Sequence, residues 1–452
     1  MKALILKRVA GICLFICSFV ITLSAQKIAP QGLRTDFALL RDTLQKIHPG
    51  IYRYKSKQEI DHIFDSCYAS IKDSMYVTEF FALANFAIAA MEDGHSNCRM
   101  PRDVMNKYID SEKIFPAMVM FIHSKPFVYC CKQNDKLTGT ELLSIDNQPM
   151  DKVMKRLFTY IPSDGNIQSR KDWEMNENFP FLYNILYGTK DSFEVKAKTT
   201  SGEIITAQLA ADLYKHFACP GPFPRPSKYL TLEYKPGNIA VLTVKTFLSE
   251  FVKQTGGDFK VFLDSAFNDI KEKKVKQLVI DIRSNQGGDD MNGAILYSYI
   301  ALQQFRYYAS LESVHGRLPD NLTIQYPQAN AYHNKVYILA NGRSFSASAE
   351  FAAIVKTNDR GVFVGEEIGG GYYGNTSGED VFVTLPASKL SARIPMVKYT
   401  MAVKNLGINN KSIKPDYVIY PTIKSIIEKD DEQLTYTIKL AKDSDASSYR
   451  QK

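Results

Sequence analysis

Hydrophobic spacing divides the chain into stretches of different character. Leu33, Phe37, Leu40, Leu44 and Ile47 recur at three- and four-residue intervals, one face of a helix, and His48-Pro49-Gly50 ends the run. Ser56 and Glu59 form a capping box ahead of a second helix carrying Ile60, Ile63, Phe64, Cys67 and Ile71. A third helix begins near Thr78, runs through an apolar stretch and stops at Glu92-Asp93-Gly94, with Gly94 as its C-cap. The pattern predicts a helical N-terminal domain over 26–112. It leaves His95 and Ser96 on the loop just past a helix end.

From 113 to 212 the period shortens. Residues 117–122 and 125–131 alternate like strands, and 139–150 reads as strand, turn and strand entry. A helix over 151–160 and two strands, 192–199 and 203–209, complete the region. Between them lies a polar segment, 163–178, with the only tryptophan, Trp173. This predicts a β-rich module of about a hundred residues, a common domain size. The Pro-rich run 219–226 reads as a stiff linker.

Beyond it strands and helices alternate. A hairpin spans 229–244, a helix 259–273 and a strand 277–282, which ends in Gly287-Gly288 before a helix running to about Arg306. The strand 335–340 meets the Asn341-Gly342 turn and three serines, Ser344, Ser346 and Ser348. From Ala347 on, the apolar positions suit a helix packed on one face. A strand at 361–365, a second glycine cluster, strands at 381–386, 393–398 and 399–403, and a last amphipathic helix at 430–442 follow, with a polar, frayed tail. The alternation predicts a mixed sheet with helices packed on it over 213–425, and a C-terminal helix and tail over 426–452. The fold class is α+β (mixed α/β).

Composition changes this picture in three places. At 452 residues the chain is long for one domain, so several are expected. Its formal charge of +8 is spread along the sequence, with no dense Lys/Arg run and interleaved aromatics, so nucleic acid is not expected as a partner. The N-terminus has the form of a secretory signal: Lys2, Lys7 and Arg8, then an apolar run from Val9 to Leu23, then Leu23-Ser24-Ala25 as a cleavage site. Removing residues 1–25 takes three basic residues and leaves +5. No second apolar run is long enough to span a membrane, so a periplasmic or extracellular protein is expected. Cys13 and Cys17 leave with the signal. Five cysteines remain, Cys67, Cys98, Cys130, Cys131 and Cys219. They are odd in number and sparse, unlike a disulfide scaffold, and their pairing stays open. His95 and Cys98 have no second pair to complete a metal site, so no metal or cofactor is expected.

The candidate chemistry centres on the serines. A serine at a strand-to-helix junction faces free backbone N–H groups and a partial positive charge, which favour an alkoxide and an oxyanion. The plain alternative is an N-cap. Gly287 and Gly288, at the end of a buried strand, leave their N–H groups unobstructed, which suits a phosphate or an oxyanion; the plain alternative is a tight turn. The run lacks the Gly-Lys-Ser/Thr ending of a P-loop. The plain reading of His95 is a residue that complements the helix dipole or meets solvent, and the alternative is a base.

Three islands together resemble the C-terminal processing (tail-specific) serine protease family, the tricorn core included. VIDIRSNQGG (279–288) resembles its oxyanion loop. NGRSFSASAEF (341–351) resembles its nucleophile motif, with Ser346 as the nucleophile. VGEEIGGG (364–371) resembles the loop that follows. The module at 113–212 is similar to the family's PDZ-like domain, with LLSIDNQPM its best-matching piece. The N-terminal segment ending in Glu92-Asp93-Gly94-His95-Ser96 is similar to the tricorn-like and retinoid-binding-protein-like branch, where a histidine here serves as base.

The resemblance covers nearly the whole mature chain. It implies a ClpP/crotonase-like mixed-sheet protease domain and a secreted or periplasmic serine endopeptidase without cofactor, acting on extended polypeptides through an acyl-enzyme. His95 would be the base, and the Gly288 and Ala347 N–H groups the oxyanion donors, with Gly287 as a substitute. The chain departs from the family where many members place a catalytic lysine: Gly371 stands there. Where the tricorn-like branch orients its histidine with a glutamate, this chain has Asn409-Asn410. Asn409 is the candidate third member, with Glu366 or Glu367 as rivals. The alternatives are an inactive relative that binds peptides or other ligands, and an acyl hydrolase acting on esters or small amides.

Overall fold

A computed structural model of the chain describes residues 27–317, 323–407 and 412–449. The signal segment and Asn409-Asn410 lie outside the described residues. The catalytic candidates rest on a six-stranded sheet, ordered Leu230–Lys235, Ile239–Val244, Gln277–Asp281, Lys335–Ala340, Val362–Gly365 and Tyr417–Val418. The first pair is an antiparallel hairpin and the other pairs are parallel. Asp281 lies opposite Leu339, and Ala340 opposite Gly365, so three strands end level and their loops emerge side by side. Crevices at the carboxyl ends of parallel strands are where such sheets bind ligands.

Both faces of this sheet are buried, which is why its strands read as unbroken apolar runs. Leu242, Leu278, Ile280 and Ile338 pack against the helices Phe259–Glu272, Asp290–Ser298 and Ala347–Thr357. The alternate residues Val241, Val279, Tyr337 and Leu339 are covered by Leu434, Ile438 and Ala441 of the helix Glu432–Tyr449.

The N-terminal helices Pro30–Ile47, Lys57–Ser70 and Val77–Ala89 appear where the spacing places them, with the Ser56–Glu59 capping box formed. They bury Leu33, Phe37, Leu40 and Phe64 against Leu385, Leu390 and Ile394 of a hairpin far along the chain. Buried Asp36 secures that hairpin by accepting from the N–H groups of Ala387 (2.8 Å) and Ser388 (2.6 Å). Gly94 is not the C-cap of the third helix: Ala90 holds that position, and the left-handed turn falls on Glu92 (φ 58°).

The middle module is an antiparallel sheet ordered Met118–Ile122, Lys125–Cys130, Glu141–Ile145, Ser192–Lys198 and Ile204–Ala210. From Gln168 on, the polar segment 163–178 belongs to the helix Gln168–Tyr187. Met175, Phe179 and Tyr183 recur every fourth residue and pack with Phe115, Phe121 and Phe193; the polar residues between them hid the face. Cys130 and Cys219 form a disulfide that ties the Pro-rich run to this module, while Cys67, Cys98 and Cys131 are free and buried.

The helix expected to reach Arg306 stops at Ser298. The carbonyls of Ser298 and Tyr299 instead accept from the N–H groups of Gln328 (3.0 Å) and Tyr332 (2.8 Å), and the chain turns into a strand, Tyr308–Ser313. Among the described residues no helix is long and apolar enough to cross a membrane.

Candidate active site

Ser346 joins the strand Lys335–Ala340 to the helix Ala347–Thr357 with φ 56° and ψ −130°. A non-glycine residue in that region costs on the order of 1–3 kcal/mol and must be held there by its surroundings. Here Asn341 Oδ1 accepts from the N–H groups of Ser284 (2.9 Å) and Arg343 (3.2 Å). Ser344 Oγ donates to the Ile282 carbonyl (2.8 Å) and accepts from Asn341 N–H (3.2 Å). Phe345 N–H donates to the Asn285 carbonyl (3.0 Å). Ser344 and Ser348 are fully buried. Ser346 alone of the three is partly exposed and lines a cavity of about 520 Å³. Its side chain makes no capping bond to the helix it precedes, so its hydroxyl is free for other work.

The glycine loop lies directly against this elbow. Asn285 Oδ1 accepts from Gly287 N–H (2.9 Å) while its amide donates to the Val244 carbonyl (3.0 Å). A Cβ on Gly287 (φ 92°) would stand 2.7 Å from Ser346 Cβ and 2.9 Å from Ala347 N. Only a bare backbone fits that gap. Gly288 N–H has no acceptor among the described residues, and Ala347, as the first residue of its helix, has none within it. Both line the cavity with Ser346. Two free donors beside a hydroxyl are the arrangement that stabilises a tetrahedral oxyanion.

His95 reaches the same cavity from the N-terminal domain. The strand after it, Asn97–Arg99, pairs antiparallel with Ser391–Ile394. Gly94 lets the loop close onto the elbow: a Cβ there would be 2.8 Å from Phe345 Cζ. The His95 ring stacks on Phe345 at 4.5 Å between centroids. It is 5% exposed, and both ring nitrogens are buried without a partner. No hydrogen bond joins it to Ser346 in this structure. Burial pushes its pKa down to about 4; Asp93 pulls it up, while Arg393 and Arg170 push it lower. The imidazole is therefore neutral at neutral pH, the form that accepts a proton.

Asp93 anchors the loop backbone, not the His95 ring. Its Oδ1 accepts from the N–H groups of His95 and Ser96, both at 2.9 Å, and its Oδ2 lies 3.4 Å from His48 Nε2. His48 Nδ1 accepts from Gly50 N–H (3.2 Å), and its Nε2 lies 3.1 Å from Ser96 Oγ. Burial would raise the Asp93 pKa, but His48 and the loop amide hold it well below the usual carboxylate range.

Two carboxyls passed unnoticed in the sequence. Glu350, 2% exposed, lies one turn past Ser346 and lines the cavity. It accepts from Tyr308 Oη and Asn375 Nδ2, both at 2.7 Å, and burial pushes its pKa up to about 7. A glutamate inside the apolar run 347–355 was the available signal. Buried Asp164 accepts from Gly94 N–H and more distantly from Gly371 N–H.

Glu366, a rival for the third place, does not face His95. Its N–H donates to the Ala340 carbonyl (3.0 Å) and its carboxyl accepts from Gln433 Nε2 (3.2 Å). It lines a separate cavity of about 740 Å³ with Trp173, Arg283 and Asn341. Asn409 lies outside the described residues. Among the described residues no group of three His, Cys, Asp or Glu stands ready to hold a metal ion.

Residues 238–419 match the model of peptidase family S41. That span holds five of the six strands of the sheet, the glycine loop and the elbow. No curated protein sequence matches the chain. Among solved structures, a mutant of CPAF aligns with 91% of this chain and 97% of its own at TM-score 0.68 and 12% identity. CPAF complexed with lactacystin aligns with 91% of this chain and 98% of its own at TM-score 0.65 and 12% identity. At that identity the likeness shows a shared fold.

Proposed function

The chain carries a peptidase family S41 domain and is a serine-type peptidase, and from that premise we propose that it is an exported endopeptidase with Ser346 as nucleophile and His95 as base. The observation that carries this is the elbow: a strained, partly exposed serine, flanked by two free backbone donors, in one cavity with a buried neutral imidazole whose nitrogens have no partner. A serine hydroxyl is a weak nucleophile until a base accepts its proton. His95 would take that proton and return it to the leaving amine. The Gly288 and Ala347 N–H groups would hold the oxyanion, a donor being worth on the order of 3 kcal/mol in known cases. Catalytic hydrogen bonds are often unmade before substrate binds, so the absent Ser346–His95 bond is compatible with this role. The basic, apolar and small-residue segments at the N-terminus support export. The middle module, which the sequence likens to a PDZ-like domain, would take the substrate as an added strand.

The test is labelling with a fluorophosphonate probe and cleavage of an unfolded protein such as reduced casein, comparing the mature enzyme with Ser346→Ala and His95→Ala. Labelling lost in Ser346→Ala, with both activities down by at least about 10³-fold, is the expected result. A Ser346→Ala enzyme that still labels would sink the assignment.

A further inference from the structure

Asp164 belongs to neither the elbow nor the glycine loop, yet it touches both sides of the site. It sits in the middle module, between the helices Met150–Phe158 and Gln168–Tyr187, at the start of a single turn Asp164–Asn166. It is 1% exposed. Its Oδ1 accepts from Gly94 N–H at 2.8 Å, the residue before His95. Its Oδ2 accepts from Gly371 N–H at 3.4 Å, in the glycine cluster that follows the strand Val362–Gly365. The next residue completes the clamp: Gly165 N–H donates to the Glu92 carbonyl at 3.0 Å. Two hydrogen bonds thus fasten 92–94 to 164–165, and a third ties the same carboxyl to the far wall.

The opposite side of the His95 loop is equally constrained. A Cβ on Gly94 would be 3.0 Å from Asp164 Oδ1 and 2.8 Å from Phe345 Cζ. The loop is therefore held between Asp164 and the ring that precedes Ser346. No hydrogen bond among the described residues holds the His95 ring itself: its nitrogens are unpartnered, and Asp93 holds the backbone of His95 and Ser96 and the Ser96 hydroxyl. The distance from imidazole to hydroxyl then depends on where the loop is pressed, and one of the two pressing surfaces is Asp164.

We propose that Asp164 is a positioning residue of the peptidase, holding the His95 loop and the Gly371 loop in register so that the imidazole meets Ser346 when substrate binds. It does not touch the reacting atoms; it acts through His95. The inference rests on the Ser346–His95 reading above. Burial pushes the Asp164 pKa up to about 7, and in its ionised form the carboxylate is suited to the task because it accepts both amides at once. An asparagine of the same shape turns one of those acceptors into a donor facing an N–H group, and one of the two loops is released. Displacements of about 1 Å at such a site can cost about 10²-fold in rate.

The experiment is a double-mutant cycle on the full mature enzyme with Asp164→Asn, His95→Ala and the pair, read as kcat and KM for peptide cleavage and as the rate of Ser346 phosphonylation by a fluorophosphonate. Asp164→Asn is expected to lower kcat and the phosphonylation rate by about 10- to 100-fold, with KM changed less than about twofold. In the His95→Ala background the same substitution should change the residual phosphonylation rate by less than about twofold, because the residue it positions is gone. A merely structural carboxyl predicts the same loss in both backgrounds, and that result overturns the proposal, as does an Asp164→Asn enzyme with kcat near wild type. A His95→Ala enzyme with wild-type kcat refutes the reading on which the proposal rests, and Asp164 falls with it; the two failures are thereby told apart. Should Asp164→Asn not fold, Asp164→Ser keeps a single acceptor and carries the same comparison.

Discussion

Replacing Gly287 by alanine tests whether the glycine loop is built for the elbow beside it. Gly287 has φ 92°, where a side chain costs about 1–2 kcal/mol. The added Cβ would stand 2.7 Å from Ser346 Cβ and 2.9 Å from the Phe345 carbonyl oxygen. Carbon–carbon contacts ordinarily close at about 3.5–4.0 Å, so the loop and the elbow must separate by about 1 Å. The loop carries Gly288 N–H and the elbow carries Ala347 N–H and Ser346 Oγ, so the strain falls on the three groups assigned to the reaction. A shift of that size, or the loss of one oxyanion donor, lowers kcat by about 10²-fold.

Gly202→Ala is the matched control. Gly202 has φ 90°, and nothing stands within 4 Å of its missing Cβ, so it carries the backbone penalty without the collision. That penalty should lower Tm by about 4–16 °C in a module of about a hundred residues while kcat is unchanged. Peptide cleavage gives kcat and KM, and thermal unfolding followed by circular dichroism gives Tm. Gly287→Ala should lose about 10²-fold in kcat with KM within about threefold. A Gly287→Ala enzyme that keeps kcat within threefold of wild type, while losing no more Tm than Gly202→Ala, would refute the reasoning: the loop would then be packing alone.

If His95 is the base, its buried imidazole sets the acid limb of activity. Burial lowers the His95 pKa from 6.5 to about 4, and only the neutral form accepts a proton, so kcat/KM should climb as pH rises through about 4 and level off toward neutrality. The same shift stabilises the folded chain above about pH 6.5 and that stability is lost as pH falls toward 4, because the unfolded chain binds the proton more readily. A pH–rate profile whose acid limb is centred near 6.5 would contradict this. Glu366→Gln should leave kcat and the position of the acid limb unchanged within about twofold, since that carboxyl lines the other cavity; a tenfold loss would return Glu366 to the catalytic set.

What could be read from the sequence was what a single segment encodes. The period of Leu33, Phe37, Leu40 and Leu44 announced a buried helix face, and the Ser56–Glu59 pair announced its neighbour's start. The apolar strand 335–340, with an Asn-Gly turn and a helix pattern after it, placed Ser346 at a junction without any tertiary information. Errors came where two signals overlapped. The helix Gln168–Tyr187 carries its core residues every fourth position among charged ones, and the charges dominated the reading. The apolar pattern after Asp290 continues through buried Tyr299 and Ile300, whose burial belongs to a loop and not to a helix face.

The site itself was legible only as a set of parts. Nothing in the spacing of His95 and Ser346, about 250 residues apart, states that they share a cavity; that follows from a register, Asn97 opposite Arg393, which joins the first domain to a hairpin near the end of the chain. Asp164 was invisible for the same reason, and Glu350 showed only as a charge inside the apolar run 347–355. Each matters through partners 25 to 207 residues away in sequence. The glycines are the exception that shows how far local reading goes. Gly287, Gly288 and Gly94 stood out as turn or cap residues, but only the packing reveals that two of them, Gly287 and Gly94, are small because the elbow carrying Ser346 presses against them. Close approach between segments leaves its trace in sequence as a missing side chain, and that trace names the place while leaving the partner to be found.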